Sequence, residues 1–268
     1  MISVVLVAGA SSGVGLETAR ALARRGHQVY GTSRVAARVD LPGVTPLALE
    51  AGDERSVRAC VDHVLARHGR LDALVYSVGF YTAGAVEETS DELALAQLEA
   101  YLLGAHRLVR AVLPAMREQG AGRLVLMSST AAVAAIPFHA IYSASKAALN
   151  HYAEALRDEV APFGVRVTCV EATSVRTGAA VAMRESDPIP GYEPVRTRVI
   201  ERFRRLQLDG PSPVPVADGI VRAVEARRPR PVYRIGAQAR MLPWLRAVLP
   251  DPVFRRLYGR FFHVSRPG

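Results

Sequence analysis

Short apolar runs alternate with longer amphipathic segments along the first 170 residues of the chain. The short runs are typical of buried β-strands, and apolar residues that recur every three or four positions between them indicate helices. Because strand and helix alternate, the pattern predicts an α/β fold in which helices cover both faces of a single doubly wound parallel sheet. The expected strands span 3–8, 28–33, 44–49, 71–77, 123–128 and 165–170, and the expected helices span 14–25, 54–68, 91–118 and 141–161.

Polar residues at two helix starts agree with these bounds. Asp53 and Ser90 stand directly before predicted helices, where a side-chain oxygen can accept a hydrogen bond from a free backbone N–H as an N-cap. Pro114 lies inside the longest predicted helix. Its ring and its missing N–H should bend or end that helix.

The regular alternation stops after Thr177. Residues 178–215 contain six prolines around a short arginine-rich helix expected at 196–206. Long segments between core elements often form lids or substrate loops, so we expect this proline-rich segment to be a substrate lid. A helix at 216–227 and a strand at 231–235 would then complete the sheet.

Residues 237–268 form a C-terminal extension to a single domain that spans 1–236. The extension alternates arginine with Leu, Trp, Val and Phe. Such a tail could contact a membrane surface, cover the substrate mouth or form a subunit contact. The second and third roles are favoured because prolines should break the tail into short helices, at Pro243, Pro250 and Pro252.

The composition is that of an ordinary globular protein, with 50% hydrophobic and 22% charged residues among 268. The net charge is +9, but the arginines are spread along the chain without a nucleic-acid-binding motif. We therefore expect no nucleic-acid partner, and we expect part of the charge to bind a phosphorylated small molecule. Cys60 and Cys169 lie far apart, which predicts buried thiols in a reducing compartment. The apolar start is too short to span a bilayer and lacks a basic flank, which predicts a cytoplasmic protein.

A glycine-rich loop joins the first predicted strand to the first predicted helix. Small residues let the backbone approach a pyrophosphate, and the helix N-terminus offers free N–H groups and the positive end of its dipole. A tight turn without a ligand is the alternative, but the strand before the loop and the helix after it favour a dinucleotide. The loop residues expected at the cofactor are Gly9, Ser11, Ser12, Gly13, Val14 and Gly15.

Ser33 and Arg34 stand at the end of the second predicted strand. An acidic residue there would bind the ribose 2′-hydroxyl of NAD, whereas a hydroxyl followed by an arginine can bind the 2′-phosphate of NADP. Because the acid is missing, we expect NADP(H) as the cofactor.

Lys146 is the only lysine among 34 basic residues, and it follows Tyr142 by four positions. On a helix this spacing puts both side chains on one face, close enough for the ammonium to stabilise a phenolate. Arginine is a broad planar cation, whereas lysine is compact enough to stand beside a phenol and a sugar. An incidental pairing on a solvated helix is the alternative that this pentapeptide alone leaves open.

The glycine-rich loop and the Tyr-x-x-x-Lys pair together resemble the short-chain dehydrogenase/reductase family, over residues 1 to about 235. The resemblance implies a Rossmann-type domain in which Tyr142 donates a proton to a carbonyl oxygen and Ser129 orients that carbonyl. It implies that Lys146 tunes Tyr142 and binds the nicotinamide ribose. It implies no metal ion, and further cofactor contacts from Glu50, Ala51, Ser77, Val78, Gly79, Tyr142, Lys146, Val175 and Thr177.

Several elements depart from the family pattern. Ala8 replaces a threonine, and Tyr76-Ser-Val-Gly79 replaces an Asn-Asn-Ala-Gly element. The segment Glu171–Thr177 lacks the usual Pro-Gly turn, and Glu50 stands where an aspartate is common. Tyr101 stands where the family has an asparagine that helps to link the lysine to solvent. Its hydroxyl either replaces that amide, reaches the substrate, or belongs to a ring that only fills space.

These features predict an NADPH-dependent ketoreductase that acts on a bulky lipophilic or aromatic substrate, such as a polyketide or steroid-like molecule. The alternatives are a relative that uses the bound cofactor without net redox change, as an epimerase, dehydratase or cyclase, and a non-catalytic NADPH-binding protein. The resemblance also implies a homodimer or homotetramer with the two longest helices at the interface. His139 is expected at the cleft edge rather than as a second acid. The expected lining of the substrate side, besides the lid, is Phe80, Tyr81, Phe138, His139 and Met183.

Overall fold

Parallel strands form the centre of the computed structural model, which describes residues 2–264. In chain order the strands are β1 (Val4–Ala8), β2 (Gln28–Ser33), β3 (Val44–Ala48), β4 (Ala73–Tyr76), β5 (Thr82–Ala83), β6 (Gly122–Met127), β7 (Val165–Ala172), β8 (Arg184–Glu185) and β9 (Val232–Ile235). Seven of them form one sheet in the order β3-β2-β1-β4-β6-β7-β9, and β5 pairs with β8 separately. Every predicted strand is present, which confirms the parallel sheet.

The sheet grows in two directions from β1. The chain adds β2 and β3 on one side, then crosses to place β4, β6, β7 and β9 on the other. Ligands of such sheets bind outside the carboxyl ends of the strands at the point where the order reverses. That point is the end of β1 and β4, where the glycine-rich loop and Ser77 leave the sheet.

Helices cover both faces of the sheet. In chain order they are α1 (Gly13–Arg24), α2 (Glu54–His68), α3 (Asp91–Leu98), α4 (Gly104–Glu118), α5 (Ala140–Val160), α6 (Val195–Leu208), α7 (Val214–Glu225), α8 (Ala237–Val248) and α9 (Asp251–Phe261). Side chains of β1 alternate between two cores: Leu6 packs with α2, α4 and α5, whereas Val5 packs with α1 and α7. The doubly wound α/β fold is therefore confirmed.

The long helix predicted over 91–118 is interrupted. A π-helical turn at Glu99–Leu103 separates α3 from α4, and π turns often occur at functional sites. The Tyr76 hydroxyl donates a 2.5 Å hydrogen bond to the carbonyl oxygen of Ala100 in this turn. The helix continues through Pro114 to Glu118, so the prediction that this proline could end the helix is wrong.

The predicted N-caps are confirmed. The Asp53 carboxylate accepts a hydrogen bond from the backbone N–H of Arg55 at 2.9 Å, and the Ser90 hydroxyl accepts one from Leu93 at 3.3 Å. In the tail, α8 runs through Pro243, whereas α9 begins directly after Pro250. The tail is thus two helices joined by a short turn.

A buried ion pair fastens the proline-rich segment to the domain. The Glu88 side chain is fully buried and accepts a 2.8 Å hydrogen bond from Nε of Arg196 at the start of α6. The same carboxylate accepts a bond from the N–H of Ile189 at 2.9 Å. Burial raises the pKa of Glu88, but these hydrogen bonds outweigh burial and hold that pKa below its ordinary value. The role of the segment as a lid stays a prediction.

Candidate active site

Three glycines allow the tight path of the loop between β1 and α1. Gly9 has a φ of 85°, and a Cβ there would stand 2.8 Å from the Ser77 carbonyl oxygen. Gly13 has a φ of 57°, and the Thr177 methyl group occupies the space beside it. A Cβ on Gly15 would overlap the Gly9 carbonyl. The glycines therefore bring the backbone of the loop, the end of β4 and the start of α1 together.

Most of the predicted loop residues line the crevice at this point, namely Gly9, Ser11, Ser12, Gly13 and Val14. Gly15 does not line it, so a cofactor contact from this residue stays a prediction. Its role is to let α1 pack closely against the loop.

A basic edge borders the crevice where β2 ends. Ser33, Arg34 and Arg38 all line it, and both arginines are exposed. The Ser33 hydroxyl donates a 2.6 Å hydrogen bond to the Val35 carbonyl. Sequence reasoning missed Arg38, although its position four residues after Arg34 in a short helical turn is a usable signal.

The remaining predicted cofactor residues lie around the same crevice. The Ser77 N–H continues the sheet by donating to the Ala8 carbonyl at 2.9 Å. Thr177 begins a short helical turn opposite the glycine-rich loop, and its hydroxyl accepts a hydrogen bond from Ala179 at 3.4 Å. All of these remaining predicted residues line the crevice, namely Glu50, Ala51, Ser77, Val78, Gly79, Tyr142, Lys146, Val175 and Thr177.

Two buried hydroxyl groups on this crevice lack a protein partner. Thr32 Oγ1 and Ser128 Oγ form no hydrogen bond within residues 2–264, and both residues line the crevice. Buried polar atoms are normally satisfied. Together with the space that the glycines leave for a phosphate, these unpaired groups fit a dinucleotide cofactor.

Tyr142 and Lys146 lie one turn apart on α5, and each is only 4% exposed. The Lys146 ammonium donates a 2.8 Å hydrogen bond to the Met127 carbonyl at the end of β6. Burial lowers the pKa of Lys146 to about 7. Burial also raises the pKa of Tyr142 to about 12, although the hydroxyls of Ser129 and Tyr81 offset part of this effect. At neutral pH the phenol of Tyr142 is protonated, whereas Lys146 changes between ammonium and amine close to that pH.

Ser129 stands where β6 ends and caps the turn that follows. Its hydroxyl accepts a 3.1 Å hydrogen bond from the backbone N–H of Ala131, and it also interacts with the phenol of Tyr142. A serine hydroxyl can accept and donate at the same time. The structural role of Ser129 therefore coexists with a position beside the phenol of Tyr142.

The ring of Tyr101, in the π-helical turn, covers the lysine. The Lys146 nitrogen lies 3.8 Å from the centroid of this ring, which is a cation–π contact. The Tyr101 hydroxyl points away and donates a 2.8 Å hydrogen bond to the Phe80 carbonyl. A Cβ on Gly79 would overlap the ring, so glycine at 79 and tyrosine at 101 go together. The contact to the lysine is made by the ring and not by the hydroxyl.

A cavity of about 900 Å³ contains the cofactor crevice and extends past Tyr142 into an apolar region. The C-terminal helices, 95 or more residues after Tyr142 in sequence, form part of its wall. The Tyr258 hydroxyl holds α9 in place by donating a 3.0 Å hydrogen bond to the Ala134 carbonyl. The apolar residues of this region include Phe80, Tyr81, Phe203, Leu206, Met241, Leu242, Leu245, Leu249, Phe254, Leu257 and Phe261.

Three residues expected on the substrate side do not line this cavity. Phe138, with a φ of 58°, packs against Tyr192, and Met183 packs in the neighbouring core. His139 is buried, its ring centroid 4.1 Å from that of Phe203. Burial lowers the pKa of His139 to about 4, so the imidazole is neutral at pH 7. It is a core residue and not an edge residue or a second acid.

Within residues 2–264 no group of three or more His, Cys, Asp or Glu side chains could hold a metal ion. The site consists of a dinucleotide crevice, the half-buried Ser129 beside the buried Tyr142 and Lys146, and an apolar chamber. This arrangement can bring a carbonyl next to a proton donor and a nicotinamide ring.

The chain belongs to the short-chain dehydrogenase family, whose sequence profile matches residues 3–188. This family of oxidoreductases uses a nicotinamide dinucleotide as its cofactor. A solved short-chain dehydrogenase from Streptomyces avermitilis has a TM-score of 0.83 and 32% identity, over 97% of this chain and 98% of that one.

Three of the similar proteins carry the names of reductases or dehydrogenases. A 3-ketodihydrosphingosine reductase of Bacteroides thetaiotaomicron is 37% identical over 65% of this chain, and the match spans 65% of that relative, just under two thirds. Human 17-beta-hydroxysteroid dehydrogenase type 1 is 30% identical over 93% of this chain and 82% of its own length. A putative ketoacyl reductase of Streptomyces coelicolor is 38% identical over 68% of this chain and 74% of its own.

Proposed function

We propose that this chain is an NADP(H)-dependent carbonyl reductase for a bulky lipophilic ketone. The observation that carries the proposal is the convergence of Ser129, Tyr142 and Lys146 on a cavity that also contains the glycine-rich loop. A proton donor, a nearby cation and a dinucleotide crevice are what hydride transfer to a carbonyl needs.

The three side chains have distinct tasks in the proposed reaction. When bound, the reduced nicotinamide supplies the hydride. A phenol is protonated at neutral pH, and burial raises the pKa of Tyr142 further, to about 12. Tyr142 donates that proton to the carbonyl oxygen as the oxygen gains charge. Ser129 donates a hydrogen bond to the same oxygen. Lys146, as an ammonium, stabilises the phenolate that remains and holds the nicotinamide ribose.

The preference for NADP(H) is supported by the basic edge at Ser33, Arg34 and Arg38. Each charge-assisted hydrogen bond to a phosphate contributes roughly 1.5–3 kcal/mol. The Arg34→Ala/Arg38→Ala variant should therefore raise KM for NADPH at least tenfold and leave KM for NADH nearly unchanged. Arg24→Ala, at the far end of α1, is the matched control. Equal losses with both cofactors would show that the edge does not read the 2′-phosphate.

A lipophilic substrate is supported by the wall of the chamber. Aliphatic and aromatic side chains of α6, α8 and α9 form most of it beyond Tyr142, and burial of apolar surface is what such a wall offers. The names of three relatives refer to lipophilic carbonyl or alcohol substrates, namely a ketosphingoid, a hydroxysteroid and a ketoacyl group.

The experiment is an NADPH oxidation assay with long-chain β-ketoacyl thioesters and steroid ketones, with short polar ketones as the control. The protein should consume NADPH with the β-ketoacyl thioesters or the steroid ketones, and deuterium from C4 of labelled NADPH should appear on the carbinol carbon of the product. Conversion without net NADPH consumption would instead indicate an epimerase, dehydratase or cyclase. Tight NADPH binding without any conversion would indicate a non-catalytic binding protein.

A homodimer or homotetramer through the predicted helices 91–118, which comprises α3 and α4, and 141–161, which corresponds to α5, is part of the proposal, because members of this family often form oligomers. Leu95 in α3 and Leu103 at the end of the π-helical turn are 63% and 42% exposed, and such side chains would be covered in an interface. Light scattering of the purified protein should give a mass of two or four chains. A monomer at micromolar concentration would contradict this.

A further inference from the structure

The hairpin of α8 and α9 presents apolar side chains outward as well as inward. Its inward residues line the cavity, and six large apolar side chains of the hairpin are between 39% and 62% exposed, three of which also line the cavity. Within each helix they recur at intervals of three or four residues, which places them along one side. This outer patch consists of Met241, Trp244 and Val248 on α8 and Val253, Leu257 and Phe261 on α9.

The outer patch is surrounded by positive charge. Residues 237–261 contain five arginines but one acid, Asp251, which is paired with Arg255. A groove of about 410 Å³ lies next to the patch where α9 meets α6. Four arginines and a histidine contribute to the lining of this groove: Arg198, Arg255, Arg256, Arg260 and His263.

The patch is continuous with the mouth of the chamber. Met241, Leu257 and Phe261 are partly exposed and also line the cavity next to Tyr142. A partner that covers the patch therefore also contacts the apolar residues at the mouth of the chamber. An apolar stripe beside a basic groove is the combination that an interfacial helix presents to a lipid surface.

Charge repulsion disfavours a second copy of the chain on this surface. A twofold interface brings the same patch together from both subunits, so five arginines would face five arginines with only Asp251 to offset them on each side. An anionic bilayer offers both an apolar interior and negative headgroups. Within residues 2–264 no helix is long and apolar enough to cross a membrane, so contact would be with the surface.

We propose that the α8–α9 hairpin docks on the surface of anionic membranes. Trp244, Val248 and Val253 enter the interface, and Arg256 and Arg260 bind headgroup phosphates. The sequence favoured a cover or a subunit contact for this tail. In the proposal the hairpin covers the chamber on one side and contacts lipid on the other. Docking does not depend on the proposed reduction, because it needs neither cofactor nor substrate.

Trp244 is the only tryptophan in the chain, so intrinsic fluorescence reports directly on the patch. Its emission should shift to shorter wavelength when vesicles of phosphatidylcholine mixed with phosphatidylglycerol are added, and high salt should reverse the shift. Pure phosphatidylcholine vesicles should bind at least about tenfold more weakly, because each arginine near an anionic surface contributes about 1 kcal/mol.

Paired variants separate docking from general charge and from self-association. Arg256→Glu/Arg260→Glu and Val248→Ser/Val253→Ser, none of which line the chamber, should each weaken vesicle cosedimentation at least about tenfold. The control Arg67→Glu/Arg117→Glu changes charge equally at the ends of α2 and α4 and should bind as the wild type does. Absence of binding to anionic vesicles, or equal loss in the control, would overturn the proposal. So would a Val248→Ser/Val253→Ser protein that binds vesicles normally but has a smaller mass in light scattering.

Discussion

The contact between the Tyr101 ring and Lys146 makes a quantitative prediction about the charge of the lysine. The ammonium nitrogen lies 3.8 Å from the ring centroid in a buried site, where a cation–π contact contributes about 2 kcal/mol. One pKa unit corresponds to about 1.36 kcal/mol. Replacing the ring by leucine should therefore lower the pKa of Lys146 by about 1.5, from its already depressed value of about 7.

The direction follows from which form the ring stabilises. The ring attracts the charged ammonium, so its loss favours the neutral amine, and deprotonation then occurs at lower pH. Reduction needs the ammonium beside Tyr142, so the fall in kcat/KM on the alkaline side should move to lower pH by the same amount. Tyr101→Phe keeps the ring and loses only the bond to the Phe80 carbonyl, which makes it the matched control.

The assay uses the single lysine of the chain. Protein labelled with ¹³C at lysine Cε gives one resonance, whose chemical shift follows the charge of Lys146 directly and without turnover. We expect a midpoint near 7 in the wild type and in Tyr101→Phe, and a lower midpoint in Tyr101→Leu. A wild-type midpoint near the ordinary value of 10.5, or a midpoint in Tyr101→Leu that stays or rises because water enters, would refute the reasoning.

Two further predictions concern buried groups other than Tyr101, Tyr142 and Lys146. Arg196→Met leaves the Glu88 carboxylate buried without its cation, which should lower the free energy of unfolding by about 3–5 kcal/mol. Urea denaturation should show the Glu88→Gln/Arg196→Met variant to be more stable than the single Arg196→Met variant. A loss below about 1 kcal/mol in Arg196→Met would contradict the burial of this pair. Burial raises the pKa of Cys60 to about 11 and that of Cys169 to about 12, so neither thiol should react with iodoacetamide at pH 8 until the protein unfolds. Rapid labelling of the folded protein, measured by mass spectrometry, would contradict this.

The sheet and the glycine-rich loop could be predicted because their signals are local. The run Val4–Ala8 is apolar without a break, and the glycines after it can adopt backbone angles that other residues avoid. Parallel strands buried on both faces leave such runs in the sequence. The Tyr-x-x-x-Lys spacing is local in the same way, since both residues lie on one face of α5.

The parts that could not be predicted depend on contacts between distant residues. Two contacts are made at the π-helical turn: the Tyr76 hydroxyl binds the carbonyl of Ala100, and the Tyr101 ring packs on Gly79. The periodicity of apolar residues along a predicted helix does not indicate such a turn. His139 is buried by Phe203 from α6, and the tail reaches the chamber from more than 90 residues beyond Tyr142. A sequence pattern gives the faces of each element but not which distant element covers them.

The direct test of the central claim is the paired measurement of NADPH oxidation and NADPH affinity in the wild type and in Tyr142→Phe. With a lipophilic ketone, the wild type should consume NADPH, and the variant should lose about 10²–10⁴-fold in kcat, the contribution expected of a positioned general acid. NADPH binding, followed by the change in its fluorescence, should stay within a few-fold because Tyr142→Phe removes a single hydroxyl group and leaves the other crevice residues unchanged. Undiminished turnover in Tyr142→Phe would contradict the assignment of this phenol as the proton donor.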